Sequence, residues 1–162
     1  MSVIPAQVDH RIPAADGYSW AASHFDASPT DTVVLINSAT AVPRQFYERL
    51  ASYFQSRGWS AVTYDYRGIG ESKPRSLRGF NATMRDWALL DMTAVVNWVD
   101  RELSPERLFA IGHSFGGQAL GMIGNVTRRH IRPADYGLER LQHVGFFRDD
   151  SEPLWREVIE WL

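Results

Sequence analysis

The chain has 162 residues, and its 17 Lys plus Arg against 19 Asp plus Glu give a formal net charge of −2. At 44% hydrophobic and 22% charged residues it has the composition of a globular protein, which excludes a disordered or low-complexity chain. Zero cysteines exclude disulfides, thiolate metal sites and a cysteine nucleophile, and the absence of a Lys/Arg-rich run leaves no footprint for nucleic acid.

No apolar run reaches the roughly 18 residues of a membrane span, and the opening MSVIPAQVDHRIP has neither the basic nor the apolar region of a secretory signal. A single domain over residues 1–162 and a cytoplasmic location are therefore expected, and a chain of this length can bury roughly 70% of its unfolded surface. Gln7–Ile12 and Ser19–Phe25 read as strands around the turn Ala15-Asp16-Gly17, an amino-terminal antiparallel hairpin. Thr32–Ile36 is a continuous apolar run of the kind buried on both faces of a parallel sheet. Phe46, Leu50, Tyr53 and Phe54 then recur at helical spacing, and Gly58 ends that helix. Ser60–Tyr64 is the next strand and runs into the Gly-punctuated loop Asp65–Pro74. Met84–Leu103 is the longest helical stretch, with Trp87, Leu90, Val95, Trp98 and Val99 on one face. Leu108–Gly112 is another strand, and a small-residue helix covers Gln118–Ile123. Val126–Arg132 reads as a short strand with no loop before it, and Pro153–Leu162 as a last amphipathic helix. Strands alternating with helices predict crossover units, a mostly parallel sheet of six to seven strands with helices on both faces, and functional loops at the carboxyl ends of the strands.

Gly112-His113-Ser114-Phe115-Gly116 matches G-x-S-x-G between a strand and a helix. That is the setting of a nucleophile elbow, where glycines allow close backbone approach and the serine sits in strained geometry. The bland reading is a Gly-rich turn that binds phosphate or merely packs. A serine nucleophile needs a base. His10 and His24 fall in the hairpin, His113 is the variable position of the turn, and His130 sits in a predicted strand, all better suited to structural roles. His143, late in the chain beside Gly145-Phe146-Phe147, is the candidate base, in the Ser-before-His order of this fold class. The backbone N–H groups of Phe115 and Ala39 stand at the positions of oxyanion donors, although Asn37–Ala41 also reads as an ordinary strand-to-helix turn. The Asp65–Ser72 loop has neither a G-x-G-x-x-G nor a Walker spacing and no metal-ligand cluster is present, so no nucleotide loop and no metal are expected.

Val33–Ile36 leading into Asn37-Ser38-Ala39-Thr40, the D-x-R-G-x-G-x-S loop Asp65–Ser72, the Gly112–Gly116 turn and Gln142–Phe147 together resemble an α/β-hydrolase. The resemblance is to bacterial predicted serine hydrolases related to lysophospholipases and serine aminopeptidases, and it runs in order over nearly the whole chain. It implies a Ser-acid-His triad with Ser114 and His143 as nucleophile and base, an ester or amide substrate, expected to be a small acyl or ester molecule, and no cofactor. Two departures stand out. Asn37-Ser38 replaces the His-Gly of many relatives, and the segment between the turn helix and His143 lacks two strand–helix units and a cap, on the order of 100 residues. The aspartate expected after a seventh strand is missing with them. Asp135, Asp149 and Asp150 are the nearby substitutes; Asp135, eight residues before His143, could fold back on it, although a solvated loop carboxylate is the plainer reading. Loss of the orienting acid typically costs about 10⁴-fold in turnover. An internal deletion or omitted segment near 125–127, or a minimal variant, accounts for the shortening. The competing functional readings are an acyltransferase or peptidase using the same site, and a non-catalytic remnant that binds or dimerises. A homo-oligomer is compatible with any of them.

Overall fold

The computed structural model of the chain describes residues 7–123, 145–147 and 151–161. The predicted strand Val126–Arg132 and the junction near 125–127 lie outside them. The chain divides into two compact units, Met1–Gly124 and Asn125–Leu162.

The first unit is built on a sheet of five strands: β1 (Gln7–Pro13), β2 (Ser19–Phe25), β3 (Thr32–Asn37), β4 (Ser60–Tyr64) and β5 (Arg107–Gly112). Their spatial order is β1-β2-β4-β3-β5. β3 runs parallel to both neighbours, with Leu35 opposite Val62 on one side and Ala110 on the other. β1 and β2 form the expected antiparallel hairpin, Ile12 opposite Trp20, and β2 joins the parallel strands by pairing antiparallel with β4, Ala22 opposite Tyr64. Every residue of β3 and β4 is buried, the apolar centres Val33–Ile36 and Ala61–Val62 together with the polar Thr32, Asn37, Ser60 and Thr63, as befits strands covered on both faces.

The alternation of the pleat sorts these side chains into two layers. Trp20, Ala22, Val33, Leu35, Val62 and Tyr64 join one core cluster with Met92, Val95, Trp98 and Val99. The alternate residues Val34, Ile36, Ala61 and Thr63 are buried on the other face, beside α1 (Glu48–Ser56), which carries the buried Leu50, Ala51 and Phe54. Fully buried side chains of this size stabilise the fold by about 1.5–3 kcal/mol each. α1 ends where Gly58 N–H bonds the Gln55 carbonyl (3.0 Å) and Trp59 N–H bonds that of Phe54 (3.1 Å), the expected C-terminal cap.

The predicted helix Met84–Leu103 is present with one change. A short α2 (Met84–Asp86), started by a Thr83–Asp86 capping box, passes through a π-helical turn, Trp87–Met92, into α3 (Thr93–Leu103). The wide turn takes Asp91 to the interior, where its carboxylate accepts from Arg67 Nε (2.7 Å) and Arg67 N–H (2.8 Å). Burial raises the proton affinity of Asp91 despite that partner. The next helix, α4 (Phe115–Ala119), starts three residues earlier than its periodicity suggests and tightens into a 3-10 turn, Leu120–Met122.

In the second unit a 3-10 turn, Gly145–Phe147, precedes α5 (Glu152–Trp161). Ser151 Oγ donates to the Gly145 carbonyl (2.6 Å) and the Trp155 indole N–H to that of Phe146, so the turn is bonded to the start of the helix. Among the described residues no helix is long and apolar enough to cross a membrane.

Candidate active site

The carboxyl ends of β3, β4 and β5 lie side by side, and three loops leave them together. β5 ends at Gly112, His113 and Ser114 make the turn, and α4 starts at the next residue. Ser114 has φ 52° and ψ −116°, backbone geometry that costs a residue with a Cβ of order 1–3 kcal/mol. The turn is closed by Gly116 N–H to the His113 carbonyl (2.9 Å) and by Gly117 N–H (3.0 Å) and Gln118 N–H (3.2 Å) to that of Ser114. Its glycines answer to space rather than flexibility. A Cβ on Gly112 would run into the Gly117 backbone, and one on Gly116 into the Asn37 carbonyl and the Ser38 oxygen. Helix, turn and β3 loop therefore approach more closely than any other residue type permits. Ser114 is half-buried, and among the described residues its hydroxyl has no hydrogen-bond partner.

The β3 loop is bonded to this turn. The Asn37 carbonyl accepts His113 N–H (3.0 Å), and Asn37 Oδ1 accepts the Tyr64 hydroxyl (2.8 Å). Ser38 Oγ donates to the Tyr64 carbonyl (3.3 Å). The two candidate oxyanion amides differ. Among the described residues Phe115 N–H makes no hydrogen bond, whereas Ala39 N–H donates to the Tyr47 hydroxyl at 2.9 Å. That hydroxyl also lies 2.9 Å from His113 Nδ1, and Phe46 stacks on the His113 ring at 6.3 Å.

Below the β4 loop lies an ion-pair network. Arg44 is buried, with Nη1 2.7 Å from Asp65 Oδ2, Nε donating to Ser23 Oγ (2.9 Å) and Nη2 to Glu71 Oε2 (3.1 Å). Asp65 also accepts Arg44 N–H (2.7 Å) and Glu71 N–H (3.0 Å). Burial alone would lower the proton affinity of Arg44, but bonding to Asp65 and Glu71 outweighs it and the affinity rises. Arg67, from the same loop, reaches Asp91 and, at 2.8 Å, Asp16 Oδ2. These two arginines fix the loop Asp65–Ser72 from both sides. Their partners were not legible in the sequence, because nothing local pairs Arg44 with a loop 21 residues later or Arg67 with a helix 24 residues on.

The structure thus brings Ser114, Phe115 and Ala39 onto adjoining strand ends. His143, Asp135, Asp149 and Asp150 lie outside the described residues, and among the described residues no group of three His, Cys, Asp or Glu is placed to hold a metal.

A family model described as alpha/beta hydrolase fold matches residues 31–121, more than half of the chain. A lysophosphatidylserine lipase of Danio rerio is 28% identical over 127 residues, 78% of this chain and 30% of its own length. Among solved structures, an esterase of Pyrococcus furiosus superposes with a TM-score of 0.59 at 21% identity, covering 70% of this chain and 45% of that one. An epoxide hydrolase of Vigna radiata gives 0.55 at 18% identity, covering 74% of this chain and 34% of its own. The chain spans less than half the length of each of these relatives.

Proposed function

The chain belongs to the alpha/beta hydrolase fold family, and from that premise we propose that it is a serine hydrolase of carboxylic esters. The observation that carries the reading is the backbone of Ser114, at positive φ between a parallel strand and a helix, with glycines on either side that only close packing requires. In this reading Ser114 Oγ attacks the ester carbonyl carbon while His143 accepts the hydroxyl proton. The C–O bond to the alcohol breaks, His143 returns the proton to the leaving oxygen, and an acyl-enzyme remains. Water then attacks the acyl carbon with His143 as base, and Ser114 is regenerated. Phe115 N–H meets the developing oxyanion, with Ala39 N–H as second donor. Two of the relatives bear the names lipase and esterase, which favours an ester over an epoxide.

The test is an intact mass spectrum before and after a fluorophosphonate probe, paired with hydrolysis of p-nitrophenyl acetate. A single adduct and turnover that both vanish in Ser114→Ala support the reading, and loss of turnover in His143→Ala places the base. Asp135→Asn then asks whether an acid orients that base. No adduct on a folded protein overturns the hydrolase reading and leaves a binding or dimerising module on the same sheet.

A further inference from the structure

Tyr47 closes the 3-10 turn Arg44–Tyr47 and is buried beneath the β3 loop. Its hydroxyl accepts Ala39 N–H and meets His113 Nδ1, so one side chain touches both the loop that presents one candidate oxyanion amide and the turn that presents the other. A backbone N–H makes one strong, well-aimed hydrogen bond at a time. While Ala39 donates to Tyr47 at 2.9 Å, it is not aimed at a substrate oxygen. Burial pushes the phenol up to about 12, so the group stays a neutral hydroxyl at any working pH. The ring is held independently of the hydroxyl, edge-on to Phe46 at 5.1 Å and to His113 at 6.0 Å. Phenylalanine in its place keeps that packing and removes only the hydroxyl.

We propose that Tyr47 is a positioning residue that holds the Ala39 amide in reserve: its hydroxyl engages Ala39 N–H in the resting protein, and the amide turns to the oxyanion only as the acyl carbon becomes tetrahedral. The inference rests on the reading of Ser114 as the nucleophile. It means that the transition state competes with a phenol for its second donor, and that this site runs below the rate its scaffold allows.

The experiment compares Tyr47→Phe with the parent chain in two measurements. Removing the competing acceptor raises kcat for p-nitrophenyl acetate between about two- and tenfold with KM little changed, the range of one neutral hydrogen bond. Amide hydrogen exchange of Ala39, followed by NMR, is slow in the parent and severalfold faster in the variant. A fall in kcat, or an Ala39 amide that exchanges as a solvent-open group in the parent, overturns the proposal, and the latter is read without any variant. If the parent shows no Ser114-dependent turnover, the serine-hydrolase reading fails and the Ala39–Tyr47 bond is still judged by exchange.

Discussion

Arg44→Met removes a buried guanidinium and keeps most of its aliphatic volume, so the cost isolates the charge. Three hydrogen-bonded partners lose a donor and the exposed Asp9, 3.7 Å away, loses an ion pair, and they do not count equally. Glu71 is 55% exposed and water replaces the lost bond at little cost. Ser23 Oγ still donates to Asp9 at 2.7 Å and accepts from Gln7 at 3.2 Å. Asp65 is fully buried, and after the change it keeps two backbone N–H donors and no counter-charge. Stranding one member of a buried pair typically costs about 3–5 kcal/mol. In a chain of this length each kcal/mol moves the melting temperature by about 2–4 °C, so the variant should melt roughly 6–20 °C lower. Calorimetry with urea unfolding is the assay, and the double change Arg44→Met with Asp65→Asn should recover part of the loss because the stranded charge is gone. A cost below about 1 kcal/mol for the single variant, or a double variant no better than the single, refutes the reasoning, because the Asp65 carboxylate would then not depend on Arg44.

Gly116→Ala places a methyl against the Asn37 carbonyl and the Ser38 oxygen, both backbone, so the β3 loop must move away from the turn. Overpacking of this kind costs typically about 1–3 kcal/mol, and Ser114-dependent turnover should fall further than stability does; urea unfolding beside p-nitrophenyl acetate turnover checks it. His24 is partly buried, and burial lowers its proton affinity below that of an exposed histidine, so the unfolded chain binds the proton first as pH falls. Stability contributed by the neutral imidazole is complete above the unfolded value of about 6.5 and declines below it. Unfolding at pH 7.5 and 5.5 should show a drop in the parent that is smaller in His24→Asn.

Alternation and apolar runs were enough to read the sheet. β3 announces itself by the apolar run Val33–Ile36 and β4 by Ala61–Val62, as strands buried on both faces do, and Gly58 stands where α1 stops. The π-helical turn was not legible, because Trp87–Met92 has the composition of an ordinary helix and its cause is distant: Asp91 has to face inward to reach Arg67. Ser114 could be read from its glycines, whose spacing records a steric demand of the turn itself. Tyr47 could not. The periodic set there is Phe46, Leu50, Tyr53 and Phe54, which passes Tyr47 over, yet Phe46 is exposed and Tyr47 is fully buried; its hydroxyl matters only because β3 ends directly above it.

Asn37 shows how far local substitution and tertiary geometry can diverge. By sequence, Asn37-Ser38 in place of His-Gly is a departure that puts the oxyanion loop in question. In the fold its main-chain carbonyl, which any residue supplies, takes His113 N–H at 3.0 Å and sits against Gly116. Its side-chain oxygen takes the Tyr64 hydroxyl from β4 at 2.8 Å, so Asn37 links the ends of all three parallel strands. The loop is thus fixed by backbone contacts at one side and by Asn37 and Tyr47 at the other. The backbone contacts survive substitution of Asn37; its side-chain bond to Tyr64 does not, which leaves Ser38 Oγ on the Tyr64 carbonyl as the side-chain tie to β4. The geometry around Ser114 therefore depends less on the identity of the residue after β3 than on Gly116 and Tyr47, the two positions where a single methyl or hydroxyl decides how closely the loops approach.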